Sequence, residues 1–150
     1  HGLNEEDEVD VEIDPERRNM ITRLHSATHI VCLLFEHKYG KKECIGSNVN
    51  DVKGRYDVLM DESVGPLLEE LEKECNEIIS KDLVIKKESS KEDPDRWIWQ
   101  LFDEDENAIP YMQCSCGGTH CNNTSEIGPL KLKRKNIGGG KERIEIMLVE

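Results

Sequence analysis

The sequence predicts a single domain that mixes α-helices with β-hairpins. Its 150 residues are a usual length for one domain. Apolar residues make up 36% of the chain, which is enough to form a modest core. These residues recur at a helical spacing in some segments and alternate with polar residues in others, so both kinds of element are expected.

The chain is acidic and contains no segment that resembles a membrane helix. Its 32 acidic and 20 basic side chains give a net charge of −12. The longest apolar run covers only residues 30–35, whereas a membrane span needs about 20 residues. Residues 3–16 carry eight carboxylates and no Lys or Arg, unlike a secretory signal. We therefore expect a cytoplasmic protein with no membrane partner. Because the chain starts at His1, we also expect a processed or excised fragment, or a tag remnant.

A short strand and a long helix are the first predicted elements. Residues 9–13 alternate apolar and acidic side chains, which predicts a strand with one wet face. Asp14 and Pro15 predict a helix N-cap and first turn, and Gly40 predicts the stop, so the helix should cover about residues 15–38. The apolar residues at helical spacing are Met20, Leu24, Ala27, Val31 and Leu34.

A hairpin and a second helix follow in the middle of the chain. Residues 44–60 contain two β-prone runs around a polar turn, and Asp61 is a candidate cap for the helix. The expected buried stripe of this helix is Val64, Leu67, Leu68, Leu71, Cys75 and Ile78. Further along, we predict strands at 83–85 and 97–99 and surface loops at 86–95 and 103–107.

The end of the chain predicts a hairpin that is rich in cations. Residues 130–134 and 143–148 alternate strongly and are joined through glycines 138–140. The cations of this segment are Lys131, Lys133, Arg134, Lys135, Lys141 and Arg143. Positive charge on one element can guide a polyanion although the chain as a whole is acidic. A solvated hairpin whose lysines protect a sheet edge explains the same pattern equally well.

Two separate motifs indicate a metal site. His25 and His29 are four residues apart in the first predicted helix, so their rings share one face. Two histidines at this spacing are as often surface residues or hydrogen-bonded core residues as they are metal ligands. Cys116 and His120 flank the pair Gly117-Gly118, which allows the backbone to approach a bound ion closely. Cysteine and histidine donors together favour zinc over magnesium or calcium.

The six cysteines allow other interpretations. Six could form three disulfides in a secreted protein, but without an export signal we expect thiols or thiolates. Cys32 and Cys75 lie on apolar helix faces, where buried hydrophobic side chains are expected. A purely local site would use Cys114, Cys116, His120 and Cys121, at spacings tighter than those of usual zinc fingers. Redox chemistry by the Cys-x-Cys pair is a further alternative.

Four motifs occur in an order that resembles a known family. They are HSATH at 25–29, CGGTH at 116–120, TSEIG at 124–128, and KNIG with KERIEI at 135–138 and 141–146. Together they resemble the editing domain of alanyl-tRNA synthetase and the free-standing AlaX trans-editing proteins, over about residues 9–148. The resemblance implies an α+β fold with an antiparallel sheet packed against helices, as in the threonyl-tRNA synthetase editing domain. It also implies that residues 1–150 form one editing domain, without the barrel domain that often precedes it.

The resemblance further implies which residues form the site. His25, His29, Cys116 and His120 match the family's zinc ligands. Glu126 and Asp57 are candidate bases or ligand supports, with structural hydrogen bonding as the alternative role. The candidate substrate-binding residues are Thr28, Ser47, Gly117, Gly118 and Thr124. Cys44-Ile45 replaces a Gln-Lys pair of the synthetase sequence before Gly46-Ser47, and Cys is a poorer hydrogen-bond partner than Gln.

The implied reaction is zinc-dependent hydrolysis of the ester that joins serine or glycine to alanine tRNA. A pocket that bonds the serine hydroxyl would reject alanine, because its polar groups would stay unpaired. Four protein ligands are typical of structural zinc, whereas a catalytic zinc keeps one position open for water or substrate. The resemblance implies four ligands in an enzyme, so both a structural and a catalytic role for zinc remain open. The alternatives are a noncatalytic, zinc-stabilised module that binds tRNA and a fragment of a full synthetase. The basic hairpin is the expected tRNA contact, with salt-dependent affinity.

Overall fold

A long helix, α1, follows the acidic N-terminal segment in the computed structural model, which describes residues 2–150. It covers Pro15–Tyr39. The Asp14 carboxylate accepts hydrogen bonds from the backbone amides of Glu16 and Arg17, both at 3.0 Å, which satisfies two of the free N–H groups of the first turn. Gly40 ends the helix with φ of +81°, a conformation that favours glycine. The predicted cap and stop are therefore confirmed.

Two antiparallel sheets and a second helix complete the α+β fold that the sequence predicts. The larger sheet has the order β1-β2-β7-β6 and contains β1 (Cys44–Val49), β2 (Gly54–Leu59), β6 (Leu130–Asn136) and β7 (Lys141–Leu148). The smaller sheet contains β3 (Ile85–Ser89), β4 (Trp97–Phe102) and β5 (Ala108–Ser115), in that order. Helix α2 covers Leu68–Ser80 and follows a 3-10 turn at Gly65–Leu67.

The core lies between the two helices and the inner faces of the sheets. Its largest fully buried side chains include Leu24, Ile30 and Phe35 of α1, Leu71 of α2, Trp99, Leu101 and Met112 of the smaller sheet, and Ile144 and Ile146 of β7. Cys75 is buried among them, Cys32 is partly buried against the core, and all six cysteines are free thiols, as predicted. Neither helix of the described chain combines the length and apolar character that a bilayer span requires.

The strand predicted at residues 9–13 is wrong. Val9, Val11 and Ile13 are 54%, 82% and 56% exposed, and the segment pairs with neither sheet. An alternating pattern needs a neighbouring strand to accept its backbone hydrogen bonds, and this segment has none among residues 2–150.

The predicted cap at Asp61 is also wrong. The helical segment begins at Gly65, and Asp61 lies four residues before it. Pro66 lies in the first turn, where backbone N–H groups make no hydrogen bond within the helix, so the missing N–H of proline costs nothing there. Pro66 therefore marks the start of the helical segment more closely than Asp61 does. Four residues of the predicted stripe, Val64, Leu68, Leu71 and Cys75, are buried. Leu67 and Ile78 are only partly buried, and Ile79 is buried at the end of the helix instead of Ile78.

The smaller sheet contains two strands, β3 and β5, that the sequence pattern does not predict correctly. Most of β3 was predicted as loop, because the four residues after Ile85 are polar and exposed. They nevertheless form an edge strand that pairs with β4 through backbone groups. Strand β5 was not predicted at all, since only Met112 of its eight residues is buried. The remaining predicted hairpins and the strand at Trp97 are confirmed.

Candidate metal centre

Four side chains from two distant segments meet beside α1. His25 and His29 lie one turn apart on the helix, and Cys116 and His120 lie in the loop that follows β5. Each offers one donor atom, and these four atoms lie within 4.8 Å of one another. The two motifs that the sequence predicted to converge therefore do lie together, and the cluster could hold one metal ion.

The ring nitrogens of the cluster have distinct neighbours. Nε2 of His25 lies 3.4 Å from Sγ of Cys116, and Nε2 of His29 lies 3.1 Å from Nε2 of His120. On the outer side of its ring, Nδ1 of His25 lies 3.2 Å from the carbonyl oxygen of Thr119. A backbone carbonyl can only accept, so it keeps the proton on Nδ1 and leaves Nε2 free to act as a donor to a cation.

The imidazoles of the cluster are neutral at neutral pH. Burial lowers the pKa of His29 to about 3, and the neighbouring His25 and His120 add to the effect. Burial also lowers the pKa of His120 to about 4, with contributions from His25 and Lys87. Neutral rings keep a lone pair available for a cation. Three imidazoles and one cysteine form a nitrogen and sulfur donor set that suits a borderline-soft ion such as zinc better than magnesium or calcium.

Gly118 makes the close packing of the cluster possible. A Cβ atom at this position would lie only 2.4 Å from Cε1 of His25. The loop is fixed from the other side by Lys87 of β3, whose Nζ donates to the carbonyl oxygens of Gly117 and Gly118 at 3.3 and 2.9 Å. Sequence analysis missed Lys87, because it lies in a segment that was predicted as loop.

We expect Gly118→Ala to weaken metal binding by at least about 10-fold, the lower end of the loss seen when a group that orients a ligand is removed. The new methyl group would displace the His25 ring from the cluster. Gly117→Ala is the matched control, because its Cβ would have Trp97 at 3.8 Å as its nearest neighbour. Chelator competition with zinc measures both variants, and equal affinities in the two would contradict the packing argument.

A cavity of about 640 Å³ lies next to His25 and His29. Its walls come from α1, β1, β2 and β5 and include Thr28 and Ser47, two of the predicted substrate-binding residues. Ser47 is exposed, whereas Thr28 is buried and its hydroxyl donates to the Leu24 carbonyl at 2.7 Å. The Ser47 hydroxyl and the rings of His25 and His29 therefore line the same cavity.

The two candidate carboxylates lie away from the cluster in other interactions. Asp57 is the register partner of Arg143 on β7, and its two oxygens accept hydrogen bonds from that guanidinium at 2.7 and 2.9 Å. Tyr56 next to it lines the cavity, so Asp57 points to the opposite face of the sheet. Glu126 accepts a hydrogen bond from the Asn123 amide in a capping box. The geometry supports the structural alternative for both residues.

Thr124 and the local cysteine site also differ from expectation. Thr124 is fully buried; its hydroxyl oxygen accepts from the Leu83 amide, and the hydroxyl lies within hydrogen-bonding distance of the Ile78 and Ile79 carbonyls, so it braces the fold rather than lining the cavity. The purely local metal site is not formed, because the donor group within residues 2–150 includes neither Cys114 nor Cys121. Histidines from α1 take those two places.

Half of the cations predicted to contact RNA are paired with acids. The pairs are Lys131 with Glu72, Arg134 with Glu142, and Arg143 with Asp57. Within residues 2–150 no carboxylate pairs with Lys133, Lys135 or Lys141. The sequence could not separate these groups, because ion pairing depends on strand register and on α2.

Comparison with known proteins agrees with the geometry. Residues 109–145 match the family described as the threonyl and alanyl tRNA synthetase second additional domain. The chain is 32% identical over 146 residues to the alanyl-tRNA editing protein AlaX-M of Pyrococcus horikoshii, covering 95% of this chain and 62% of that protein. It is 31% identical over 161 residues to AlaX-M of Saccharolobus solfataricus, covering 95% of this chain and 65% of that protein.

A second group of relatives consists of much longer proteins. The alanine–tRNA ligase of Methanopyrus kandleri is 32% identical over 157 residues, which cover 91% of this chain but 16% of the ligase. The chain thus spans less than two thirds of the length of the curated relatives that it matches. The resemblance read from the four motifs is confirmed: this chain is a relative of the alanyl-tRNA editing proteins and of a segment of the alanine–tRNA ligases.

Proposed function

We propose that this chain is a zinc-dependent aminoacyl-tRNA deacylase that removes serine or glycine from mischarged alanine tRNA. The observation that carries the proposal is the convergence of His25, His29, Cys116 and His120 next to a cavity. The names of the relatives, alanyl-tRNA editing proteins, support the same reaction.

The four clustered residues would hold the zinc ion, and the bound ion would supply Lewis-acid chemistry at the cavity wall. The remaining residues of the cavity serve binding and orientation. The Ser47 hydroxyl is exposed to the cavity and can pair with the hydroxyl of a seryl group. Lys41 also lines the cavity and places a positive charge where the phosphate of an RNA end can bind.

A pocket of this kind discriminates serine from alanine by hydrogen bonding, whereas glycine, which also lacks a hydroxyl, can be separated from alanine only by size. Serine carries one hydroxyl more than alanine, and a site that pairs with it leaves Ser47 unsatisfied when alanine enters. The hydroxyl of Thr28 is already donated to a backbone carbonyl, although its oxygen can still accept. The proposal therefore assigns the primary hydroxyl contact to Ser47.

The rival function is a noncatalytic module that binds tRNA and uses zinc only to stabilise its fold. The observation that favours it is the presence of four protein donors, since four ligands complete a tetrahedral shell and leave no open position. This rival predicts metal and tRNA binding without turnover.

A deacylation assay distinguishes the two functions. The zinc-loaded chain and the chelator-treated chain are each mixed with alanine tRNA that carries serine, glycine or alanine. We expect the zinc-loaded chain to release serine or glycine and to spare alanine, and the chelator-treated chain to lose this activity. Folded, zinc-loaded protein that binds tRNA but releases none of the three amino acids would exclude the deacylase and favour the rival.

The unpaired lysines of the basic hairpin are the proposed tRNA contact. Strand β6 and the cavity-lining β1 are at opposite edges of the larger sheet, separated by three strand spacings or about 14 Å. Lys135 is in register with Arg143 and Asp57, so Lys133 and Lys135 lie on the face of the sheet opposite the cavity. A tRNA that contacts these lysines therefore has to pass round the edge of the sheet to place its charged end in the cavity. We expect Lys133→Ala with Lys135→Ala to weaken tRNA binding for all charged amino acids alike, and to reduce the slope of log affinity against log salt by roughly 1 per lost phosphate contact.

Lys73→Ala is the control for this prediction, because Lys73 lies on α2 and forms an exposed pair with Glu77. Its tRNA affinity and salt slope should equal those of the unmodified chain. Fluorescence anisotropy at several salt concentrations provides both quantities, and an unchanged slope in the double variant would remove β6 from the proposed interface.

A further inference from the structure

Cys114 is next to the metal centre but does not belong to its donor group. It is the penultimate residue of β5 and the register partner of Trp99 on β4. Its Sγ lies 3.3 Å from Nδ1 of His29. The four donors that converge within the described chain do not include it. The sulfur therefore contacts a ligand residue from outside the cluster.

The two nitrogens of the His29 ring face different partners. Nε2 points towards Nε2 of His120, at 3.1 Å, and so faces the centre of the cluster. Nδ1 points away from the centre, towards Cys114. The ring also packs against Trp99, with ring centroids 5.1 Å apart. Two residues of the smaller sheet thus set the orientation of this histidine.

The other two imidazoles show why a hydrogen-bond partner at Nδ1 matters. His25 has a carbonyl oxygen at Nδ1, whereas the buried Nδ1 of His120 has no hydrogen-bond partner within residues 2–150. A neutral imidazole carries one proton, and only the bare nitrogen can bind a cation. An acceptor at Nδ1 holds the proton there and leaves Nε2 bare. For His29, the only acceptor found at that position in the described chain is the Cys114 sulfur.

We propose that Cys114 is a positioning residue for His29: its sulfur accepts the Nδ1–H hydrogen bond and directs Nε2 towards the cation, while the sulfur stays outside the coordination shell. This inference rests on the metal centre of the proposed function and deepens it. It assigns a role to a residue that belongs to neither the HSATH motif at 25–29 nor the CGGTH motif at 116–120. It also separates the roles of the two cysteines of the Cys-x-Cys pair.

Zinc affinity tests the positioning role. Cys114→Val keeps a similar volume but removes the acceptor, and we expect about 10- to 100-fold weaker zinc binding, the range for loss of a group that orients a ligand. Cys114→Ser keeps an acceptor and should bind zinc within a few-fold of the unmodified chain. Cys44→Ser is the matched control, because this thiol lines the same cavity and its one hydrogen bond within residues 2–150 goes to the Gly46 carbonyl. Unchanged affinity in Cys114→Val would overturn the proposal.

Cobalt(II) substitution separates positioning from ligation. Thiolate-to-cobalt charge-transfer absorption reports the sulfurs that are bound to the metal. We expect Cys114→Ser to retain the full intensity per bound cobalt and Cys116→Ser to lose it. Loss of intensity in Cys114→Ser would make Cys114 a ligand and would overturn the proposal. In the unmodified zinc-loaded chain, nitrogen NMR should find the His29 proton on Nδ1, and a proton on Nε2 would also overturn it.

These measurements are independent of the reaction. A chain that binds zinc with the expected variant pattern but does not release amino acids would refute the proposed function and leave the role of Cys114 intact. A folded chain that binds neither zinc nor cobalt would refute both.

Discussion

Cys116→Ala is expected to abolish stoichiometric zinc binding and, with it, release of serine or glycine from alanine tRNA. Cys116 contributes the only sulfur of the four-donor cluster, and the three imidazoles that remain are neutral. Loss of a group that merely orients a ligand weakens affinity by about 10- to 100-fold, so loss of a ligand should weaken it by more than about 100-fold. Metal content after dialysis and the deacylation rate measure the two effects.

The control for this prediction removes a different thiol. Cys44 is exposed and lies outside the donor group, so Cys44→Ala should keep the full metal content. Circular dichroism confirms that both variants remain folded. A folded Cys116→Ala chain with one tightly bound zinc would mean that the donors come from elsewhere, and the assignment of this cluster as the metal centre would fail.

Asp57→Ala is expected to lower the free energy of unfolding by more than a substitution in an exposed ion pair does. Asp57 is 5% exposed, and both of its oxygens bind the Arg143 guanidinium across the β2–β7 pair. Arg55 approaches the same carboxylate at 3.4 Å. The Arg143 side chain is 19% exposed, so loss of its partner costs less than in a fully buried pair, about 1–3 kcal/mol in the free energy of unfolding. Urea unfolding of the metal-free chain measures this change without a contribution from zinc.

Asp51→Ala is the matched control for the ion pair. Asp51 pairs with Arg17 at 3.4 Å, but both side chains are largely exposed to solvent. Exposed pairs contribute about 0–1 kcal/mol, so this variant should unfold at nearly the same urea concentration as the unmodified chain. If Asp57→Ala were equally mild, the Asp57–Arg143 pair would not stabilise the fold, and the structural role assigned to Asp57 would be wrong.

The metal cluster could be predicted from the sequence because each half is a local pattern. His25 and His29 share a face through helical spacing alone, and Cys116 and His120 are joined by two glycines. The contact between Cys114 and His29 could not be predicted, since it depends on where β5 lies. Only one residue of β5 is buried, so the strand has no apolar alternation to reveal it.

The fate of Asp57 shows a second limit of sequence analysis. The sequence offered Asp57 as a candidate base or ligand support, but its side chain is directed away from the cavity by strand alternation. Its partner Arg143 is 86 residues away in the chain and is brought opposite by the register of β2 and β7. No turn joins β2 to β7, and a hydrophobic pattern selects which face of a strand is buried without naming its partner residue in a distant strand.

The four metal donors come from two distant segments of the chain, so metal binding and folding are linked. His29 and His120 are 91 residues apart in sequence, and α1 and the loop after β5 have no covalent connection near the cluster. A cation held by both segments would act as a cross-link across most of the chain, and cross-links that close long loops remove the most entropy from the unfolded state. If the proposed function holds, zinc deficiency would then lower not only the deacylation rate but also the amount of folded protein, because metal binding free energy adds to the free energy of folding.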